Sequence, residues 1–232
     1  MAQYAVPPEK LLPLVPAGTE LDLHEGRAYV SVVAFEFRDT AVRGVRIPGH
    51  VNFVEVNLRF YVRRFVDGEW RRGAVFVAEF VPRHAIALVA NVVYGEPYRV
   101  YATSATVAPD RVEYRWSRQG ERSSFALDLG PSLGVPAAES HAGFIIEHYW
   151  GYTRRGPRRT DEFEVSHPRW SVREVRDARI EADFGRLYGE RFAFLNGRPP
   201  DSVLFAEGSA VTVAPGARLG LSGPVGHAPG KM

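Results

Sequence analysis

Cysteine is absent from the 232 residues, so disulfides, thiolate nucleophiles and Cys-ligated zinc are excluded outright. Lysine is nearly absent: among 29 basic residues only Lys10 and Lys231 are lysines, and both lie near a terminus. Chemistry that runs through a lysine amine therefore has almost nothing to use. No stretch holds eighteen uninterrupted apolar residues, so a hydrophobic spanning helix is excluded and no membrane partner is expected. The opening MAQYAVPPEKLLPLVPAG has no basic-then-apolar leader pattern, its prolines oppose a signal helix, and a cytoplasmic location is expected. No long Lys/Arg block stands out at a net charge of +2, so no nucleic-acid partner is expected. The seven histidines show no i, i+4 pair, and GxSxG, GxGxxG and P-loop patterns are missing. Neither a metal nor a cofactor is expected.

What is present is a globular composition. The hydrophobic share of 45% with interspersed charge suits a single packed domain of this length. One β-rich domain is expected over residues 1–221, followed by a Gly/Pro-rich tail, 222–232. Leu21–Leu23 and Ala28–Arg38, joined at Glu25-Gly26-Arg27, read as a hairpin whose second strand is apolar on both faces. Asp67-Gly68 marks a second hairpin, and Gly73–Val81 returns as an apolar strand with Glu79 inside it. Arg99–Val107, Arg111–Arg118 and Ser123–Leu129 form an antiparallel meander with turns at Pro109-Asp110 and Gln119-Gly120. Gly130–Pro136 reads as a loop, Ala137–Gly143 as a short helix or turn, and Ile145–Thr153 as a strand. Thr160–Ser166 and Val172–Ile180 read as extended. Asp183–Leu195 has the spacing of one amphipathic helix, and Ser202–Val213 reads as a last strand pair turning at Glu207-Gly208.

Two stretches carry the functional reading. In Val51–Arg64, Val54, Val56, Leu58, Phe60 and Val62 share one face; Phe53, Glu55, Asn57, Arg59, Tyr61 and Arg63 share the other. The apolar face must be core. The polar face is either a solvent face or the lining of a cavity inside a curved sheet. In His84–Tyr101, a short apolar helix is expected first, with Ile86, Val89 and Val93 on its stripe. Gly95 stops it and Pro97 prevents a restart, so the chain leaves the turn as a strand at Tyr98 and Arg99.

Tyr94-Gly95-Glu96-Pro97-Tyr98-Arg99 resembles the aromatic-Gly-x-Pro-Lys-Lys turn of acetoacetate decarboxylases, whose first motif lysine forms a Schiff base with the keto acid. Tyr98 stands in that place here. Glu55-Val56-Asn57-Leu58-Arg59-Phe60-Tyr61-Val62 resembles the Glu-x-Asn-x-Arg-x-Tyr-Val strand of the YqjF-like bacterial family, a relative of those enzymes. Glu147-His148-Tyr149 with Tyr152-Thr153, and His167-Pro168-Arg169-Trp170, resemble the later motifs of the same family.

The resemblance implies a mainly β fold: a curved antiparallel barrel or cone of the acetoacetate decarboxylase-like type with two or three short helices. It favours the cavity reading of the Val51–Arg64 face. It also implies that Schiff-base decarboxylation is lost. Arginine keeps its proton and holds its lone pair in resonance, so Arg99 cannot replace the amine.

The pocket would then use Glu55, Tyr98 and His167 as catalytic groups, with Asn57, Arg59, Arg99 and Glu147 binding substrate. An arginine clamps a carboxylate with two parallel hydrogen bonds, Glu55 and His167 can exchange protons, and Tyr98 can donate to a carbonyl oxygen. The expected partner is a small molecule with a carboxylate or carbonyl. The competing reading makes these residues paired structural polars, with Glu55 on an arginine and His167 packed on Trp170. The domain would then be a non-enzymatic ligand sensor or an oligomeric scaffold. An open curved sheet leaves edges to cover, which suits a homo-oligomer of unfixed stoichiometry.

Overall fold

A computed structural model of the chain describes residues 1–41, 51–82 and 97–219. The expected helix beginning at His84, the connection Arg43–His50 and the tail beyond Leu221 lie outside the described residues.

Strands dominate. The larger sheet runs β13 (Ser202–Val203), β1 (Ala2–Val6), β3 (Ala28–Phe37), β4 (Phe53–Val66), β5 (Glu69–Val81), β10 (Trp150–Gly156), β11 (Arg159–Ser166) and β15 (Thr212–Val213). On this path β2 (Glu20–Leu21) joins β4, β6 (Tyr98–Val100) joins β5, and β16 (Ala217–Arg218) joins β11. The smaller sheet runs β14 (Phe205–Ala206), β12 (Val172–Glu181), β9 (Glu121–Gly134), β8 (Arg111–Arg118) and β7 (Ala102–Val107). Three short helices complete the described fold: α1 (Pro8–Leu11), α2 (His141–Ile146) and α3 (Phe184–Tyr188).

The mainly β expectation holds with two corrections. The sheets are not closed into a barrel. Nor are they purely antiparallel, because β6 and β10 both run parallel to β5. Glycines permit the close approach of β10 to β5 on one side and to β11 on the other. A Cβ on Gly73 would sit 2.5 Å from the Trp150 carbonyl oxygen, and one on Gly151 would sit 2.0 Å from the Phe163 ring.

One core fills the space between the sheets. Val56, Leu58, Phe60 and Val62 from β4 meet Val112, Trp116, Phe125 and Leu127 from the smaller sheet. Phe184, Leu187, Tyr188, Phe192 and Leu195 close one side. That stripe was expected on one helix. Gly189, at φ +102°, instead divides it into α3 and a 3-10 turn over Glu190–Leu195, with the apolar face intact. The opposite face of β4 is covered too. Tyr29 and Tyr61 pack with Phe144 and Ile145 of α2, and burying each such apolar side chain is worth about 1.5–3 kcal/mol.

Local chemistry explains the remaining differences. The Glu25-Gly26 turn forms, but Leu21 pairs with Val62 of β4 and not with β3. Beyond Leu129 the expected loop continues as strand to Gly134, because register shifts against β12 absorb Pro131. Arg173 satisfies the Gly130 carbonyl at 2.9 and 2.7 Å. Ser140 caps α2 by accepting from the Gly143 amide, so Ile145 and Ile146 are helical and the strand waits until Trp150. The last segment is no hairpin: β13, β14 and β15 pair with β1, β12 and β11 respectively.

Candidate functional site

The polar face of β4 is an interior surface, since Glu55, Asn57 and Tyr61 are all at most 2% exposed. A bulge completes it. Between the pairs Leu58↔Ala78 and Arg59↔Phe76 the register slips by one residue on β5. Without the slip, Glu79 would share a face with Val75 and project into the apolar core. With it, Glu79 lies opposite Asn57, and Tyr98 of β6 lies opposite Glu79.

Glu55 is the focus of this strip. Asn57 Nδ2 donates to its Oε1 at 2.9 Å and the Tyr98 hydroxyl to its Oε2 at 3.1 Å. Its carboxyl is also hydrogen-bonded to that of Glu79. Two carboxyls can share a hydrogen bond only if one holds a proton, and the raised Glu55 carboxyl can hold one up to about pH 7. Burial pushes Glu55 up to about 7, against the opposing pull of Asn57, Tyr98, Glu79 and Arg59.

Arg59 stands one step further along the same face. It makes no ion pair among the described residues, and its buried Nε has no hydrogen-bond partner there. Its contacts are weak ones: the Met1 sulfur at 3.7 Å and the Tyr61 ring at 5.5 Å. Neighbouring arginines are committed. Arg63 pairs with Glu20, Arg64 and Arg71 share Glu162, and Arg72 pairs with Asp22. Asn57 Oδ1 is likewise buried without a partner.

At the far end, Tyr61 stacks on His148 at 4.4 Å and its hydroxyl donates to Ser31 at 2.8 Å. His148 Nε2 lies 3.3 Å from Asp22 Oδ2, which also accepts from Arg72 Nε at 2.6 Å. Burial lowers His148 to about 4, so the imidazole is neutral and donates Nε2–H to Asp22. Burial alone would raise the Asp22 carboxyl, but His148 and Arg72 outweigh it and hold the group below its ordinary value.

The structure thus brings together Glu55, Asn57, Arg59 and Tyr98 and sets apart the other three expected residues. Arg99 follows Tyr98 in a strand and so takes the opposite face, where its Nη1 donates to the Leu187 carbonyl at 2.8 Å. His167 stacks on Trp170 at 4.0 Å and against Tyr149 at 4.8 Å. Glu147 accepts from the Tyr149 hydroxyl and faces Arg169 Nε at 3.5 Å. Sequence reading missed Glu79, Asp22, Arg72 and His148 as members. The available signal was a lone acid within an apolar run, at Glu79 in Gly73–Val81 and at Asp22 between two leucines.

The sequence profile of the uncharacterized conserved protein family DUF2071 matches residues 1–210. The chain belongs to that family. No curated protein matches it significantly. Among solved structures, the DUF2071 chain is similar to the enduracididine biosynthesis enzyme MppR with HEPES buffer bound. Identity there is 18% and the TM-score 0.62, over 94% of this chain and 84% of that one. It is also similar to acetoacetate decarboxylase from Legionella pneumophila, with 12% identity and a TM-score of 0.53 over 94% and 77%. An acetoacetate decarboxylase-like enzyme from Sphingomonas wittichii RW1 gives 17%, 0.55, 94% and 86% in the same order. At these identities the likeness establishes the fold that the DUF2071 chain shares with them. Among its described residues no helix is long and apolar enough to cross a membrane, and no group of three or more acidic or histidine side chains is placed to hold a metal ion.

Proposed function

We propose that the polar strip of β4, β5 and β6 is the binding site for a small molecule bearing a carboxylate beside a carbonyl or hydroxyl oxygen. The observation that carries this reading is Arg59, a partly buried guanidinium without an ion pair among the described residues, next to Glu55, whose carboxyl burial raises to about 7. A ligand carboxylate would take the two parallel donors of Arg59. Its neighbouring oxygen would accept the proton held between Glu55 and Glu79, which Asn57 and Tyr98 keep in position. The reaction class, if the ligand is turned over, is proton transfer at that oxygen. Schiff-base chemistry has no part in this reading. Lys10 lies on α1 against the Phe194 ring at 5.2 Å, and among the described residues no lysine stands on the strip. Similar structures in complex with pyruvate, as for MppR, agree with a ligand of this size and charge.

The test is thermal shift and calorimetry on the full chain with pyruvate, acetoacetate, lactate and glucuronate. At least one should raise the melting temperature, because a ligand that binds only the folded state stabilises it by mass action. Arg59→Met keeps the stem and removes the charge-assisted bonds, so affinity should fall about 10–100-fold. Unchanged affinity in Arg59→Met, or no binding by any of the four, would contradict the reading.

A further inference from the structure

Away from this strip, His24, Glu25, Arg27, Tyr29, His141 and Ser202 line an open cleft of about 340 Å³. Ser202 shares a cross-strand row with Arg59 through Gln3 and Ser31. Three strand spacings, about 14 Å, separate the two, so the cleft is a separate place. Within it Ser202 Oγ lies 2.7 Å from His141 Nε2 and, as the Gln3 amide stands, the serine hydroxyl donates to Gln3 Oε1 at 2.8 Å. Gln3 is fully buried, and its Nε2 has no hydrogen-bond partner among the described residues.

The other orientation of the Gln3 amide would use that orphaned donor and reverse the bond to Ser202. Turning the Gln3 amide end for end places N–H on Ser202 Oγ and gives a buried donor its partner. The serine hydroxyl is then left to donate to His141 Nε2, which requires a neutral imidazole. Burial, and after it His24, lower the pKa of His141; Glu25 and Asp201 act the other way without reversing the shift. The ring is held by packing against Tyr29 at 4.8 Å and His24 at 5.2 Å. In that orientation the serine hydroxyl points its proton at a fixed, neutral base inside a cleft open to small molecules.

We propose that Ser202 and His141 form a nucleophile–base pair that accepts the acyl group of a small ester bound in this cleft. Ser202 Oγ attacks the ester carbonyl carbon while its proton passes to His141 Nε2 and the carbonyl electron pair moves onto oxygen. Collapse re-forms the carbonyl and breaks the bond to the leaving alcohol, which takes the proton back from His141. Water then repeats the sequence on the acyl-serine and releases the acid.

The test treats the full-length protein with a fluorophosphonate probe, whose fluoride is displaced by an activated serine oxygen. Peptide mass mapping should find the phosphonyl group on Ser202. Labelling should slow about 100-fold in His141→Gln and disappear from that peptide in Ser202→Ala. Hydrolysis of p-nitrophenyl acetate should fall in the same order. Wild-type protein unfolded in urea should not label, a comparison that stays decisive if His141→Gln fails to fold. No label on Ser202, equal labelling of His141→Gln, or equal labelling of the unfolded chain each overturns the proposal.

Discussion

Replacing Asp22 by alanine should lower the stability of the folded protein by about 3 kcal/mol in urea unfolding near pH 7. Asp22 is 4% exposed and is the shared acceptor for Arg72 and His148. Its removal strands a guanidinium and a buried imidazole N–H together. The figure is the lower end of the range for breaking a buried pair, because the Arg72 side chain is 30% exposed and recovers some hydration. The control is Glu20→Ala, which breaks the pair with Arg63. Those side chains are 45% and 37% exposed, so this loss should stay below about 1 kcal/mol. Equal losses in the two variants would mean that the Asp22 cluster contributes no more than a surface ion pair.

Glu55→Gln should reverse the sign of the pH dependence of stability between pH 6 and pH 8. The folded-state pKa of Glu55, about 7, lies above its ordinary 4.5, so the native state binds more protons than the unfolded chain between those values. Stability from this group is therefore full below pH 4.5 and is lost as pH rises through 7. His148 works in the opposite sense. Its folded value of about 4 lies below the ordinary 6.5, so its contribution grows as pH rises from 4 to 6.5 and then stays level. The two slopes oppose each other in mild acid, and above pH 6.5 the Glu55 slope remains. Wild-type stability should drop by about 0.5 kcal/mol between pH 6 and pH 8, the net of about 1.4 lost at Glu55 and about 0.8 gained at His148, and in Glu55→Gln the drop should turn into a rise. A variant that keeps the wild-type slope would remove Glu55 as its source.

Much of this site was legible in the sequence because strand alternation is a strict geometric rule. Residues 53 to 63 sort onto two faces by parity alone, and Glu55, Asn57 and Arg59 do share one face, the first two buried and Arg59 partly so. The same parity argument separates Tyr98 from Arg99, which as strand neighbours cannot both face one site. Parity fails at Glu79. The slip at Val77 moves that acid from the core face to the polar face, and no residue type around it announces a bulge. Topology hides the rest. Asp22 and His148 are 126 positions apart and meet only because β2 lies on β4 and β10 docks on β5. Gly189 carried a stop signal inside an otherwise continuous apolar stripe, and spacing alone gave it too little weight. Openness of the sheets is a long-range property that local pattern does not encode.

The most direct test of the central claim, a shared proton on a buried acid pair beside an arginine without an ion pair among the described residues, is a carboxyl carbon-13 NMR titration of protein labelled at glutamate. Resonances of Glu55 and Glu79 would be assigned through Glu55→Gln and Glu79→Gln. One carboxyl of the pair should keep its proton until about pH 7. If both lose their protons near the ordinary value of 4.5, the pair is two ordinary carboxylates and the proposed proton donor does not exist.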